Sequence, residues 1–400
     1  MTQLTDQPAA GGPATDITAS DSPASQAQRL PFGLLSELDQ PADVFAHLGP
    51  NWYAAIMGTG IVAIASATLR PALPVLHALA TAVWLLSAIA LVGLTAAWAV
   101  HWVRHPSRGR AHAADPVMAQ FWGAPAMALM TVGTGTLLLG HGLLGAAAVT
   151  VDWVLWGGGT GLGLLTACWI PYLMMTRHEI APDSAFGGWL MPVVPPMVSA
   201  ATGALLIPYA GSGKLTLLLG CYAMFGLSLV ASVIIITQIW SRLVQHKIGA
   251  AVMVPTLWIV LGPLGQSVTA AGNLGKQAAG VLPAPYGAGA AVFGLLYGVP
   301  VWGFAMMWLV LAAAITIRTA RQHLPFALTW WSFTFPVGTC VTGSIALAGR
   351  SHAALFGVAA VILYLLLLSA WLLVAARTVR ASASGRIFVP IPATAPAVQT

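Results

Sequence analysis

Residues 330–338 read Trp-Trp-Ser-Phe-Thr-Phe-Pro-Val-Gly, a stretch without charge that nevertheless contains a proline and a glycine. Proline in the interior of a helix removes one backbone hydrogen bond and bends the helix. Inside a bilayer such a break is tolerated only where protein or a water-filled cavity covers the freed polar groups. The stretch therefore predicts a bent helix facing the inside of a membrane bundle, with Phe335, or else Phe333, closing a pore. A core aromatic packed against a kink explains Phe335 as well.

The composition agrees with a membrane protein. Of the 400 residues, 58% are hydrophobic and only 6% are charged, whereas soluble domains carry about 25% charged residues. A soluble core of this size could not hide so much apolar surface, so we expect an all-α membrane protein. The sequence has no metal-ligand spacing among its three cysteines and no HExxH or GxSxG motif. We expect no cofactor, metal, nucleic-acid partner or enzymatic activity.

The apolar runs predict ten transmembrane spans, each long enough to cross a hydrocarbon core of about 30 Å. They lie at residues 50–69, 75–103, 117–140, 147–176, 187–209, 214–243, 250–272, 287–318, 326–348 and 352–377. The ten-helix domain thus covers residues 48–380. Residues 1–31 and 381–400 have the composition of disordered cytoplasmic tails. Residues 32–47 could form an interfacial helix, or an ordinary linker.

The basic residues give the expected orientation. Twelve of the sixteen lie on the same side as the N-terminus, and four lie on the opposite side: Arg70, Lys214, Lys276 and Arg350. The positive-inside rule then places both termini in the cytoplasm, with the chain embedded in the plasma or inner membrane.

Helix-breaking residues repeat along the chain. One breaker from each odd-numbered span gives positions about 70 residues apart, with Gly60 beside the first: Gly58, Pro125, Pro195, Pro263 and Pro336. Each repeat is one helical hairpin, and parallel repeats are related by an axis along the membrane normal. We therefore expect five hairpins in a quasi-five-fold arrangement around a central pore. The breakers would lie at one depth and shape that pore. Their frequency in membrane helices generally is the competing explanation.

Acidic residues are confined to one part of the chain. All ten lie at or before Asp183, and each falls in a tail, a loop or a span end. Proton pumps and cation pathways usually place carboxylates at membrane depth. An uncharged pore without carboxylates is instead suited to anions.

Two motifs carry a family resemblance. Residues 49–53 (Gly-Pro-Asn-Trp-Tyr) and 57–60 (Met-Gly-Thr-Gly) resemble the signature of the tellurite-resistance/dicarboxylate transporter family, and residues 330–336 are similar to its ninth span. The family includes fungal malate permeases, sulfite efflux pumps and plant slow-type anion channels. The resemblance implies a homotrimer with one pore per subunit, five kinked inner helices and a blocking phenylalanine, Phe335 by position. It also implies transport of small anions such as chloride, nitrate, sulfite, malate or tellurite. The short tails depart from the plant channels and put control by phosphorylation in doubt.

Three functions follow from these observations. The first is a passive anion channel or uniporter gated by Phe335. The second is proton-coupled export of an anion such as sulfite or malate, against which the missing buried carboxylates count. The third is a membrane sensor or scaffold without transport, which a pore packed shut at every level would favour.

Overall fold

The computed structural model describes residues 35–38, 40–71 and 73–388. The first predicted tail, residues 1–31, lies outside the described residues, as does most of the second. The described part contains twelve α-helices and no strand. Their bounds are α1 Tyr53–Thr68, α2 Pro74–Arg104, α3 Pro106–Ala114, α4 Gly123–Leu139, α5 His141–Leu144, α6 Ala147–Thr176, α7 Pro195–Leu206, α8 Lys214–His246, α9 Leu261–Ala278, α10 Tyr286–Gln322, α11 Phe335–Ser351 and α12 Ala354–Ser384.

Five helices form a closed inner ring. Each of α1, α4, α7, α9 and α11 contacts the next, and α11 returns to contact α1. The helices α2, α6, α8, α10 and α12 pack outside, each in the groove between two consecutive inner helices. This arrangement confirms the predicted all-α fold of five hairpins around an axis.

Burial separates the two layers. The inner helices bury most of their residues, whereas only about a quarter of the apolar stretches of the outer helices is buried. A helix that is hydrophobic all round belongs in the core of a bundle. The outer helices expose large apolar side chains, as contact with lipid requires.

Within the part of the chain that the structure describes, eight helical spans are long and apolar enough to cross a membrane. The other two predicted spans correspond to α1, with 16 residues, and α7, with 12 residues. An α-helix rises 1.5 Å per residue, so α7 covers about 18 Å of a core about 30 Å thick. The count of ten crossings therefore stays a prediction.

The four prolines predicted to bend the inner helices lie instead at the beginnings of those helices. A 3₁₀ segment precedes each inner helix, at Pro50–Trp52, Met118–Trp122, Gly187–Leu190, Ala251–Val260 and Leu328–Phe333. The four prolines then fall within the first three residues of the α-helix that follows: Pro125, Pro195, Pro263 and Pro336. The first N–H groups of a helix have no intrahelical acceptor, so proline removes no hydrogen bond there. These prolines thus mark where four of the five inner α-helices begin.

Gly58 requires a correction, because α1 runs through it without interruption. Its role is close packing. A Cβ atom at this position would collide with Thr334 Oγ1 and would lie 2.8 Å from Trp331 Cε3. Glycine at position 58 therefore lets α1 approach the start of the ninth span.

The segments beside the tails are also ordered. Helix α12 continues to Ser384, and the Phe388 ring stacks on Trp52 with ring centroids 5.1 Å apart. The prediction of disorder from residue 381 onward is thus wrong for residues 381–388, because Phe388 finds an aromatic partner. Residues 41–47 form a 3₁₀ helix, and His101 Nδ1 donates a hydrogen bond of 2.7 Å to the Phe45 carbonyl.

Tryptophans fasten the outer layer to the inner ring. Four of the five outer helices carry a tryptophan whose indole N–H donates a hydrogen bond to an oxygen on an inner helix. The pairs are Trp84 to Thr136 Oγ1 at 3.1 Å, Trp156 to the Ser199 carbonyl at 3.0 Å, Trp302 to Ser344 Oγ at 2.8 Å and Trp371 to Thr59 Oγ1 at 3.1 Å.

Candidate functional site

Two cavities lie along the axis of the ring, and all five inner spans line both. We name them by the ends of the inner helices. The N-side cavity lies where these helices begin and has a volume of about 20 Å³, room for little more than one water molecule. Its lining is almost wholly apolar: Ala54, Met57, Phe121, Met127, Met191, Val194, Ile259, Gly262, Pro263, Leu328, Trp331, Ser332, Phe335 and Pro336.

The C-side cavity, nearer the ends of the inner helices, is wider and more polar. Its volume is about 140 Å³. Its polar lining consists of hydroxyl and amide side chains: Thr68, Thr131, Thr134, Thr202, Gln266, Thr269, Asn273 and Thr342. No charged side chain is among its lining residues.

Phe335 is the residue that lines both cavities. It is the first residue of α11 and is only 3% exposed. Phe333 has different surroundings: its ring packs edge-on against Trp258, with centroids 5.1 Å apart, and against Trp330 at 5.7 Å. Phe333 lines neither cavity, so the arrangement distinguishes the two phenylalanines that the sequence left open.

Most hydroxyl hydrogens in the C-side cavity are already used. Thr131 and Thr202 donate to carbonyls one turn back, and the Thr269 and Thr342 hydroxyls bond to each other at 2.8 Å. An anion needs donors. Thr134 Oγ1 and Gln266 Oε1 have no hydrogen-bond partner among the described residues, and Asn273 Nδ2 gives one of its two N–H groups to the Ala201 carbonyl. The Thr134 hydroxyl, the Gln266 amide N–H groups and the second N–H group of Asn273 can therefore donate to an anion.

The other predicted pore residues have varied positions. Pro263 and Pro336 line the N-side cavity, whereas Pro125 and Pro195 line neither cavity. A Cβ atom at Gly60 would lie 2.7 Å from Thr131 Cγ2, so Gly60 brings α1 close to α4.

A third cavity opens beyond the C-side cavity and shares five lining residues with it: Thr68, Leu138, Asn273, Ile345 and Ala346. We call it the C-side mouth. Its volume is about 870 Å³, and its lining includes Arg70, Lys276 and Arg350. Among the described residues, no Asp or Glu lines it. Three of the four basic residues that the sequence assigns to this side of the membrane thus share one opening.

One carboxylate is buried between two helices. Asp152 lies in the second turn of α6, is 1% exposed, and its Oδ1 has no hydrogen-bond partner among the described residues. It faces α4, where a Cβ atom at Gly133 would lie 2.5 Å from Oδ1. Asp152 thus lies near the end of its span, as the sequence predicts, but its side chain is buried.

Side-chain spacing could have located part of this site. Gln266, Thr269 and Asn273 follow each other at intervals of three and four residues, which places them on one face of α9. Thr131 and Thr134 repeat the pattern on α4. Polar residues aligned on otherwise apolar helices are typical of a face turned toward a water-filled cavity.

The ring, its uncharged axial cavities and its basic mouth define a polytopic membrane protein of the anion channel and transporter class. A family model described as voltage-dependent anion channel matches residues 47–379, and the chain belongs to this family. Its relatives include a sulfite efflux pump of Arthroderma otae, 27% identical over 347 residues that cover 85% of this chain and 92% of the relative. An uncharacterized transporter of Methanocaldococcus jannaschii is 26% identical over 315 residues, which cover 78% of this chain and 86% of the relative. Together these findings support anion transport.

Proposed function

We propose that the chain conducts small anions passively through its inner ring, and that Phe335 closes the pathway. The observation that carries this proposal is the position of Phe335 between two cavities that all five inner spans line. An apolar constriction gates by excluding water, and the N-side cavity is too small for a hydrated anion. A change in the Phe335 rotamer would join the two cavities.

The substrate follows from the donors and from the relatives. The C-side cavity offers neutral hydroxyl and amide groups, which bind anions without holding them as tightly as a fixed charge would. Sulfite is the first candidate because the similar fungal proteins are sulfite efflux pumps. Chloride, nitrate, malate and tellurite belong to the same proposal, together with the homotrimer and the plasma or inner membrane location.

A flux assay tests the gate. We expect Phe335→Ala to raise sulfite or nitrate flux in proteoliposomes roughly ten-fold, because removing the ring widens the apolar constriction. A ten-fold rise corresponds to a barrier lower by about 1.4 kcal/mol. Phe333→Ala is the matched control, because it makes the same truncation two residues away and outside both cavities. Equal flux in wild type and Phe335→Ala, with both folded, would refute the gate.

Asp152 supports a second candidate, the proton-linked exporter. An ionised carboxylate without a partner is costly inside a membrane, so Asp152 is expected to hold a proton. In the same proteoliposomes, a pH gradient without a voltage would concentrate the anion only if transport is coupled. Asp152→Asn would then abolish accumulation but leave downhill flux. Accumulation that survives in Asp152→Asn would exclude Asp152 as the coupling site.

A further inference from the structure

The C-side mouth has a charge pattern that the proposed conduction pathway does not itself require. Arg70 follows the end of α1, Lys276 lies in the last turn of α9, and Arg350 lies in the last turn of α11. These residues are far apart in the sequence but line one cavity. The closed ring brings them together, because all the inner helices run in the same direction.

The partial negative charges at the helix C-termini do not fully neutralise the three basic side chains of the mouth. Four inner helices reach the mouth with their C-terminal ends, and each end carries about half a negative charge. Three full positive charges exceed that sum. Arg350 Nη2 donates to the Gly272 carbonyl at 3.4 Å, while its buried Nε has no partner among the described residues. The mouth is therefore left net positive.

We propose that the C-side mouth is a recruitment site for small oxyanions that favours dianions over monoanions. The inference rests on the proposed anion function. Charge multiplies the attraction: a field that concentrates a monoanion by a given factor concentrates a dianion by the square of that factor. Arginine guanidinium groups also match the paired oxygens of an oxyanion. Sulfate and nitrate serve as the dianion and monoanion probes.

Binding is measured on the full-length protein in detergent, from the rise of the unfolding temperature with added anion at a fixed low ionic strength. A unit charge about 7 Å from the anion changes affinity roughly three-fold for a monoanion and roughly seven-fold for a dianion in water. We expect Lys276→Gln to weaken nitrate binding about three-fold and sulfate binding about seven-fold. Lys276→Arg keeps the charge and should retain wild-type affinity.

Lys214→Gln is the matched control. Lys214 lies at the start of α8, is exposed and does not line the mouth, so its loss removes the same charge from the same side. We expect sulfate binding to stay unchanged in Lys214→Gln. The proposal is overturned if both glutamine variants lose the same affinity, if Lys276→Gln keeps wild-type sulfate affinity, or if nitrate and sulfate weaken by the same factor.

The readout separates this proposal from the conduction proposal, because binding in detergent needs no transport. Loss of sulfate binding in Lys276→Gln supports the mouth even if proteoliposomes show no flux. Where flux is present, its dependence on Lys276 should be strongest at about 0.01 M salt and should fade at 0.15 M. The screening length shrinks from about 30 Å to about 8 Å over that range.

Discussion

At the scale of single residues, Gly58 packs against the backbone segment that carries Phe335. Phe335 begins α11 directly after Thr334, and Gly58 of α1 packs against Thr334 and Trp331. The backbone that carries the phenylalanine is therefore supported from the first hairpin, almost 280 residues earlier in the chain. Position 58 thus affects the site without lining either cavity.

Gly58→Ala should destabilise the protein. The added methyl group has to displace Thr334 or Trp331, and overpacking a tight core costs about 1–3 kcal/mol. We expect a lower unfolding temperature in detergent, together with altered flux in proteoliposomes because the Phe335 backbone shifts.

The control for Gly58→Ala is Gly93→Ala. Gly93 is an exposed glycine in the interior of α2, and a Cβ atom there would meet nothing within 4 Å. Alanine favours helix over glycine by up to about 1 kcal/mol, so this variant should be neutral or more stable. If the two variants have the same unfolding temperature, the packing role of Gly58 is wrong.

At the scale of elements, the sequence predicted the hairpins well and their local geometry poorly. Proline recurrence identified four of the five inner spans, because each of these four helices follows a 3₁₀ segment and has a proline within its first three residues. Spacing alone does not distinguish a proline in the first turn of a helix from one in its interior. The same ambiguity made the interior glycine, Gly58, appear equivalent to the four prolines.

Another element that the sequence did not reveal is a histidine cluster beside the N-side face. His101 Nδ1 holds the 41–47 segment through the Phe45 carbonyl, and the His112 ring of α3 stacks on His101 with centroids 5.3 Å apart. Arg108 Nη1 donates to the Ala46 carbonyl at 3.3 Å. The cluster thus joins the segment that leads into α1 to the end of α2 and to α3.

Acidification should loosen this junction. Burial is the largest cause that lowers the pKa of both His47 and His112 below 6.5. The positive charge of Arg108 lowers the pKa of His47 further, and His101 does the same for His112. Asp43 and Asp115 have smaller opposing effects on His47 and His112, respectively. A lowered pKa means that the unfolded segment binds protons more tightly. The stabilisation is therefore complete above about pH 6.5 and is lost as the pH falls through the lowered pKa values.

Hydrogen exchange of the backbone amides of residues 42–47 measures the effect, after correction for intrinsic exchange rates. We expect protection at pH 7.5 and faster exchange at pH 5.5, with a smaller pH response in His112→Gln. His77→Gln, an exposed histidine at the start of α2, should retain the wild-type response. A response that is the same in His112→Gln as in wild type would rule out His112 as a contributor.

At the scale of the whole molecule, the sequence predicted the ring but missed the mouth. The ring follows from a periodic signal that every hairpin repeats, whereas the mouth depends on Arg70, Lys276 and Arg350, which no local pattern connects. The positive-inside count instead emphasises the twelve basic residues on the side of the N-terminus, opposite the mouth. The small C-side set matters because the ring gathers three of its four members.

Which compartment the C-side mouth faces depends on the orientation, which the distribution of basic residues predicts to be outward. Cysteine labelling at two exposed serines tests this prediction. Ser212 lies just before α8, at the end of the molecule where the C-side mouth opens, and Ser107 lies in α3, at the opposite end. In a Cys168→Ser background, which removes the exposed native thiol, a membrane-impermeant maleimide should label Ser212→Cys in intact cells. It should label Ser107→Cys only after permeabilisation, while the buried thiols of Cys221 and Cys340 stay unlabelled. The opposite labelling would turn the basic mouth toward the cytoplasm, where the same charges would gather anions for export.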